Sequence, residues 1–329
     1  MVFEKTVVGI YEKNICIRQD GNPLLSYFSA DDFPGLQHTP FDFIGNNGQK
    51  LQGYFYYYQN PRKDRLIIFD HGMGYGHVAY MKEIEICARR GYTVFTYDHT
   101  GCRESEGENI VGFAQSLCDL DYAVNAVRSI DAYKDALISV IGHSWGGFAA
   151  LNISALHKDI ESCVSISGFI AVERIIEQFF PGILRFYRPS VLRLEHEANP
   201  MYSLIDARRS LKDTSARILY IASDDDPTVK KEYHYDSLVG NERVELMLVH
   251  GKKHNPNYSV SAVSELTKMT DAMTAGFKKK AFNTPEDAEK FRTSWDWHKI
   301  TEQDGELWGK IFDFIEGGRK NDSLIRIRF

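Results

Sequence analysis

Short apolar runs alternate with longer segments of helical spacing along most of this chain. The apolar runs are rich in β-branched residues and predict buried strands at 65–69, 92–97, 136–141, 162–166, 217–222 and 244–249. The segments between them predict helices at 77–90, 111–130 and 148–157. Strands without polar alternation that are separated by helices are typical of a parallel sheet covered on both faces. The pattern therefore predicts an α/β protein with a mostly parallel, doubly wound sheet.

The start of the chain follows a different pattern. Extended runs at 41–44 and 51–58 flank Asn47-Gly48, and Asn-Gly between two such runs predicts a hairpin. We expect residues 1–38 to form an N-terminal extension packed on the main body. The β-like runs of this extension span 6–11 and 15–18.

Two later stretches interrupt the alternation of strands and helices. About fifty residues separate the strands at 162–166 and 217–222, which is too long for an ordinary connection. Residues 255–303 have helical character and precede a final amphipathic helix at 306–315, which is expected to end at Gly317-Gly318. We therefore predict one insertion between two strands and a second, helical one near the end of the sheet.

Composition narrows the class of protein. The 329 residues are 43% hydrophobic and 26% charged, with a net charge of −6 and no basic stripe, which argues against a nucleic-acid partner. Five cysteines without a C-x-x-C pair argue against a disulfide framework or a zinc site. The first residues lack the pattern of a secretory signal, and no apolar run is long enough to span a membrane. We expect a cytoplasmic protein.

One segment indicates the chemistry. Gly142-His143-Ser144-Trp145-Gly146-Gly147 lies between a predicted strand and an alanine-rich helix. This order places Ser144 at the apex of a tight strand–turn–helix connection, with glycines two residues before and two residues after it. Such a turn is strained and presents the serine hydroxyl to a cleft. The segment predicts a nucleophilic serine.

A serine nucleophile needs a base and a third group that orients the base. Both are expected in loops at the carboxyl ends of later strands, because the crevice of a parallel sheet opens at that edge. Asp224, Asp225 and Asp226 follow one later strand, and His250 and His254 follow the next. The three carboxylates also fit a simple turn before a proline. From the residues alone, every one of these acids and histidines remains a candidate.

Further motifs accompany the serine turn, namely Asp70-His71-Gly72-Met73-Gly74, Tyr97-Asp98-His99-Thr100-Gly101 and Ser105-Glu106-Gly107. With these motifs and the order Ser, Asp, His, the chain resembles the α/β-hydrolase superfamily from about residue 41 to the C-terminal helix. The likeness is to its bacterial serine esterase and acyl-aminopeptidase-like branch. The chain departs from the usual D-x-R-G-x-G-x-S-x-G pattern, with Thr100 before Gly101 and Arg103-Glu104 before Ser105.

The resemblance assigns roles to particular residues. It implies Ser144 as nucleophile, His254 as base and Asp226 as the acid that orients the base. The backbone N–H groups of Met73 and Trp145 would form the oxyanion hole. This chemistry requires no metal and no organic cofactor.

Other residues near these motifs receive supporting roles. Gly72 and Gly74 would let the backbone approach the substrate closely and belong to the expected substrate site. For His71 we expect a structural hydrogen bond within its loop, and for Asp98 a role in fixing a turn. His250 would then be a hydrogen-bonded residue at a strand end.

Residues 169–210 stand where this superfamily inserts a cap over the active site. The prediction divides the chain into an α/β-hydrolase core of 1–168 and 211–329 and a cap segment of 169–210. Residues 255–303 are expected to help wall the site.

The cap segment is rich in large apolar residues. Phe169, Phe179 and Phe180 are candidates for binding an acyl or aromatic part of the substrate, and the alternative is that they pack the cap onto the sheet. Exposed apolar residues in the cap would also be compatible with a homodimer.

These observations predict a serine hydrolase that cleaves a carboxylic ester through an acyl-enzyme. The expected substrate is a small molecule with an apolar or aromatic part. Thioester, amide or peptide cleavage and acyl transfer use the same triad and stay open as alternatives. A non-catalytic binding protein on the same fold is a further alternative, since fold does not fix function.

Overall fold

The computed structural model describes residues 2–317, with side chains from residue 6 onward. Eight strands form one sheet within these residues. They are β1 Gln37–Ile44, β2 Lys50–Tyr57, β3 Arg65–Asp70, β4 Thr93–Tyr97, β5 Leu137–His143, β6 Ile160–Ile166, β7 Arg217–Ser223 and β8 Val244–Val249.

The strand order in the sheet is β1-β2-β4-β3-β5-β6-β7-β8. The hairpin of β1 and β2 is antiparallel, and β2 also pairs antiparallel with β4. All remaining neighbours, from β4 across to β8, are parallel. The mostly parallel sheet and the N-terminal hairpin predicted from the sequence are both confirmed. Because β5 lies in the middle, its carboxyl end is flanked by the loops of several other strands.

Helices cover both faces of the sheet. They are α1 Val2–Asn14, α2 Met81–Arg89, α3 Gln115–Arg128, α4 Trp145–Asn152, α5 Val172–Phe179, α6 Arg188–Ala198, α7 Ala207–Ser210, α8 Val260–Lys278, α9 Pro285–Thr293, α10 Trp297–Ile300 and α11 Gly305–Ile315. The apolar residues of α3, α4 and α5 fill one core, and those of α2 and α11 fill the other. The strands between them read as uninterrupted apolar runs because both of their faces are buried. The doubly wound fold is confirmed.

The N-terminal prediction was wrong. Residues 6–11 are not extended, because they belong to α1, which runs from Val2 to Asn14. Their β-branched side chains have a strand preference that is small in energy and is easily outweighed by tertiary packing. Tyr11 of this helix is buried and donates a hydrogen bond to the Glu195 carboxylate on α6. Residues 2–14 of the predicted extension therefore form a helix that packs against α6.

Several helix boundaries also differ from the sequence pattern, and the helix expected at 148–157 is α4, Trp145–Asn152. The helix expected from residue 111 begins at Gln115, because Val111 has a φ of 63°, outside helical space. The helix expected from residue 77 starts with a 3₁₀ turn over His77–Tyr80 before α2. The predicted end of α11 falls partly outside the described residues, since Gly318 is not among them.

Both interruptions of the alternating pattern are helical. Residues 169–210 carry α5, α6 and α7 between β6 and β7, and residues 255–303 carry α8, α9 and α10. Within residues 2–317, none of the helices has the length and apolar character needed to cross a bilayer. All five cysteines are free thiols, and four of them are buried.

Candidate active site

Ser144 stands at the carboxyl end of β5, immediately before α4. Its backbone has φ 55° and ψ −111°, a conformation that L-residues rarely adopt. A Cβ on Gly142 would overlap the Gly146 carbonyl oxygen, and a Cβ on Gly146 would overlap the carbonyl oxygen of Asp70. Both glycines are therefore required by close backbone approach. This packing holds Ser144 in its strained conformation.

His254 reaches Ser144 from the loop after β8. Its Nε2 lies 2.9 Å from Ser144 Oγ, and its Nδ1 lies 2.8 Å from Asp226 Oδ2. The Asp226 side chain is 1% exposed and that of His254 is 20% exposed, so the carboxylate is shielded from solvent while the imidazole remains partly accessible. The three residues form one hydrogen-bonded chain from carboxylate to hydroxyl.

The carboxylates of the acidic loop after β7 have different hydrogen-bond partners. Asp226 Oδ1 accepts backbone N–H groups from Thr228 at 2.7 Å and Val229 at 3.0 Å, which fixes the carboxylate facing His254. Asp225 instead accepts from the Ser223 hydroxyl and the Lys253 backbone N–H. The structure thus brings Asp226 to His254 and leaves Asp225 with backbone and hydroxyl partners.

A second histidine–carboxylate pair lies beside the first. His250 Nδ1 is 2.5 Å from Asp224 Oδ2. The His250 side chain is 42% exposed and that of Asp224 is 35% exposed. Hydrogen bonding to His250 lowers the pKa of Asp224 despite the opposing effect of its partial burial. This pair lies at the surface end of the strands and has no contact with Ser144, which places His250 where a strand-end role was expected.

The loop after β3 lies against the serine turn. A Cβ on Gly72 would overlap the Tyr80 hydroxyl and would lie 3.3 Å from the Cβ of Ser144. Gly74 has a φ of +127°. Trp145 is the first residue of α4, so its backbone N–H has no acceptor within the helix. Met73 follows Gly72 in the loop and packs against the core beside the turn.

His71 holds this loop in shape. Its Nδ1–H donates to the Gly72 carbonyl oxygen at 2.7 Å, and its Nε2 accepts the His99 backbone N–H at 3.1 Å. Burial and the neighbouring charge of His99 lower the pKa of His71 to about 3. The imidazole is therefore neutral and engaged on both sides, which leaves no nitrogen free to act as a base.

A buried ionic cluster lies beneath the loop. His99 lies 2.8 Å from Asp70 and 3.2 Å from Asp119, and all three side chains are fully buried. Although burial opposes it, the two carboxylates raise the pKa of His99 to about 9. The His99 ring also lies 4.7 Å from the Trp145 ring. The cluster therefore ties the ends of β3 and β4 to the start of α4.

Asp98 fixes the turn after β4. Its Oδ1 accepts both the backbone N–H of His77 at 2.9 Å and the Nδ1–H of His77 at 2.8 Å. Burial would raise the pKa of Asp98, but the charge and hydrogen bonds of His77 lower it to about 2. These bonds join two loops, as expected for a turn-fixing residue.

The three candidate phenylalanines occupy different environments. Phe169 is 3% exposed and stacks on Phe148 at 4.5 Å, so it belongs to the core. Phe180 packs against the same core, and its carbonyl oxygen accepts from Arg188. Phe179 is 41% exposed and lies 6.1 Å from Phe113, ring to ring. Of the three, Phe179 is the most exposed to solvent.

The sequence did not single out two residues that touch this site. His143 bonds to Tyr80 through Nδ1 at 2.9 Å and to the His254 carbonyl oxygen through Nε2 at 2.8 Å. His143 is part of the serine segment, so a histidine directly before the nucleophile was the available signal. Tyr80 carries no local signal, because its hydroxyl reaches the site only through the fold.

Comparison with known proteins places the chain among hydrolases. The profile of the serine aminopeptidase S33 family matches residues 61–254. A proline iminopeptidase from Thermoplasma volcanium is 28% identical over 125 residues, which are 36% of this chain and 40% of that protein. A monoglyceride lipase from Rattus norvegicus is 31% identical over 113 residues, 34% of this chain and 35% of the lipase. The chain thus aligns with well under half the length of these two relatives.

The fold has known counterparts. An esterase from Pyrococcus furiosus superposes with a TM-score of 0.56 at 19% identity, covering 80% of this chain and 98% of the esterase. At this identity the likeness shows the fold. The family match spans more than half of the chain and includes the serine turn and both loops that face it. The chain has the α/β-hydrolase fold and belongs to the serine aminopeptidase S33 family.

Proposed function

We propose that this chain is a carboxylic ester hydrolase in which Ser144, His254 and Asp226 act as a catalytic triad. The observation that carries the proposal is the continuous hydrogen-bonded chain from Asp226 through both nitrogens of His254 to Ser144 Oγ. A hydroxyl becomes an effective nucleophile when a base can accept its proton and a third group fixes the base. The strained turn presents that hydroxyl at the edge of the sheet where the crevices of parallel sheets open.

Each residue has one task in the proposed reaction. Ser144 Oγ attacks the ester carbonyl while its proton moves to Nε2 of His254. Asp226 keeps the Nδ1 proton of His254 in place and stabilises the imidazolium. The imidazolium then protonates the leaving alcohol, and an acyl-enzyme remains on Ser144. A water molecule, deprotonated by His254, releases the acid and restores the serine.

The negative charge of the tetrahedral intermediate needs donors that are already in position. The backbone N–H groups of Met73 and Trp145 supply them in this proposal. Support comes from the position of Trp145 at the start of α4, where helix amides lack internal acceptors and the helix dipole favours an anion. Gly72 allows the loop that carries the Met73 amide to lie against Ser144.

An apolar substrate part fits the cap side of the site. The carbonyl oxygen of Phe113 accepts the indole N–H of Trp145 at 2.7 Å, and Phe179 contacts the Phe113 ring from α5. The half-exposed Phe179 is therefore linked to the serine turn through Phe113 and Trp145. We assign residues 169–210 the role of a cap and Phe179 that of an apolar wall, with Phe169 and Phe180 holding the cap on the core.

The test is labelling with a fluorophosphonate probe, with mass spectrometry of the adduct, and turnover of p-nitrophenyl esters of increasing chain length. The proposal predicts an adduct on Ser144 and ester turnover that both vanish in Ser144→Ala. An adduct without ester turnover would move the assignment to thioesters, amides or acyl transfer. A folded protein that forms no adduct would contradict the proposed mechanism.

The comparisons favour one second candidate, removal of an N-terminal residue from a peptide. Its support is the family match and the likeness to a proline iminopeptidase over 125 residues. The same triad would attack an amide instead of an ester. Proline p-nitroanilide and other aminoacyl p-nitroanilides separate the two candidates, since an esterase should turn them over far more slowly than p-nitrophenyl esters.

A further inference from the structure

His143 makes a bridge between the serine turn and the loop that carries the base. Its ring is buried at 5% exposure, its Nε2 lies 2.8 Å from the main-chain carbonyl oxygen of His254, and its Nδ1 lies 2.9 Å from the Tyr80 hydroxyl. We propose that His143 is a positioning residue that sets the place of His254 relative to Ser144, and that Tyr80 fixes the tautomer in which it does so. This inference rests on the proposed function.

The chemistry of the partners determines the direction of both bonds. A carbonyl oxygen only accepts, so Nε2 of His143 must carry the proton and donate to His254. Nδ1 is then without a proton and accepts, so the Tyr80 hydroxyl must donate to it. Removing the Tyr80 hydroxyl would leave Nδ1 of His143 without its donor. The tautomer protonated on Nε2, which the bridge requires, would then be less strongly favoured.

The topology explains why a bridge matters here. Ser144 follows the central strand β5, whereas His254 follows β8 at the edge of the sheet. Three strand spacings of ~4.8 Å separate those strands, so the base must cross about 14 Å to reach the nucleophile. The bond from His143 joins the main chain of the base directly to the strand of the nucleophile, without passing through the intervening strands.

The loop that carries the base has no regular structure of its own. Gly251 has a φ of +67°, and Lys253, directly before His254, has a φ of +51°. A non-glycine residue in that region persists only where surrounding contacts hold it. Side chains from elsewhere provide those contacts, among them Ser223, Asp225 and His143. Of these three, His143 holds the carbonyl group of His254 itself.

His143 is suited to a fixed role because it stays neutral. Burial, and repulsion from the imidazolium that His254 forms when protonated, lower the pKa of His143 to about 3. The rings of His143 and His254 lie 4.9 Å apart, so a second cation there would oppose the imidazolium that forms during catalysis. Both of its nitrogens are occupied, which prevents it from accepting the serine proton.

Tyr80 extends the bridge to the loop expected to hold the oxyanion. Its hydroxyl occupies the space that a side chain on Gly72 would need. It lies in the 3₁₀ turn His77–Tyr80, which Asp98 holds through His77. One contact path therefore runs from the loop after β3, through Tyr80 and His143, to the base.

The experiment compares four single variants, and the double variant of His143→Leu with Tyr80→Phe, by steady-state hydrolysis of p-nitrophenyl esters and by the rate of fluorophosphonate labelling. His143→Leu removes both bonds, and His143→Gln keeps an N–H donor near the position of Nε2. Tyr80→Phe removes the donor to Nδ1 alone. His157→Gln is the matched control, because His157 bonds to Asp121 past the far end of α4 and does not touch the site.

The proposal predicts that His143→Leu lowers kcat and the labelling rate by about 10-fold to 100-fold with little change in KM, because a misplaced base affects the chemical step. His143→Gln should regain most of this loss. Tyr80→Phe should fall in between and should have no further effect when combined with His143→Leu, since both act through one bridge. His157→Gln should keep the wild-type rate.

The outcomes separate the failure of this inference from the failure of the proposed function. If wild-type protein labels at Ser144 but His143→Leu and Tyr80→Phe both label at the wild-type rate, the positioning role is wrong and the triad stands. Additive losses from the two substitutions would also overturn the shared bridge. If the wild-type protein does not label, the proposed function fails first. Should His143→Leu not fold, the glutamine and phenylalanine variants still decide the question.

Discussion

Replacing Asp226 by Asn should disable the proposed triad through a single misplaced proton. One oxygen of Asp226 accepts the backbone N–H groups of Thr228 and Val229, and the other faces Nδ1 of His254. In the variant, the amide oxygen can serve only one of these sides. Turned towards His254, it would leave the NH₂ group against two backbone donors, and each unpaired buried group costs about 1–3 kcal/mol.

The amide oxygen should therefore stay with the backbone, and the NH₂ group should face His254. Nδ1 must then accept, so the imidazole proton moves to Nε2, which can no longer take the proton of Ser144. Loss of the correct tautomer in a serine triad lowers kcat by about 10⁴-fold while leaving the geometry intact. We expect a loss of that size with a Tm close to that of the wild type.

Asp224→Asn provides a matched control in the same loop. Asp224 pairs with His250 near the surface, with both side chains well exposed, and such pairs contribute at most about 1 kcal/mol. The kcat of the Asp224→Asn variant should differ from that of the wild type by less than about threefold. Steady-state hydrolysis of a p-nitrophenyl ester and thermal unfolding of both variants give the comparison. Equal losses, or a larger loss for Asp224→Asn, would refute the assignment of Asp226.

Three further outcomes follow from the packing and the charges. Ser144→Ala should lower kcat by at least about 10³-fold and abolish fluorophosphonate labelling without changing the urea midpoint, and retained turnover would remove Ser144 from the mechanism. Gly146→Ala should reduce the free energy of unfolding by about 1–3 kcal/mol or more, because its Cβ would overlap the Asp70 carbonyl oxygen, and an unchanged urea midpoint would contradict this. Burial raises the pKa of Glu83 from 4.5 to about 7. Between those pH values the folded state binds one more proton than the unfolded state, so the free energy of unfolding falls as pH rises towards about 7. Glu83→Gln should remove about 3 kcal/mol of this dependence, measured by urea unfolding from pH 4 to pH 8, and a wild-type slope would refute it.

The parts of the structure that the sequence predicts are those with local causes. The strands around Ser144 are buried on both faces, so their apolar runs are unambiguous. The glycines at 142 and 146 are required by backbone contacts within one turn, so their spacing is visible in the chain. The mostly parallel sheet and the placement of Ser144 after β5 agree with that prediction.

The remaining parts depend on contacts between distant segments. Residues 6–11 have strand-like composition, yet they form part of α1, where Tyr11 meets Glu195 across 184 positions of the chain. The choice among Asp224, Asp225 and Asp226 depends on which carboxylate faces His254, and three consecutive acids carry no local information about that. The sequence also gives no indication of the role of Tyr80, because its bond to His143 exists only after the sheet has assembled.

The position of β8 has a consequence for how activity is lost. An edge strand is paired on one side only, and such elements open at lower free energy than the centre of a sheet. Since His254 follows β8, a brief opening of that strand would withdraw the proposed base while β3, β5 and β6 keep their hydrogen bonds. Amide hydrogen exchange should then show faster opening at 244–249 than at 137–143. Mild denaturant would then abolish turnover while most of the molecule is still native. Turnover would therefore decrease with the opening of the edge strand β8 rather than with global unfolding.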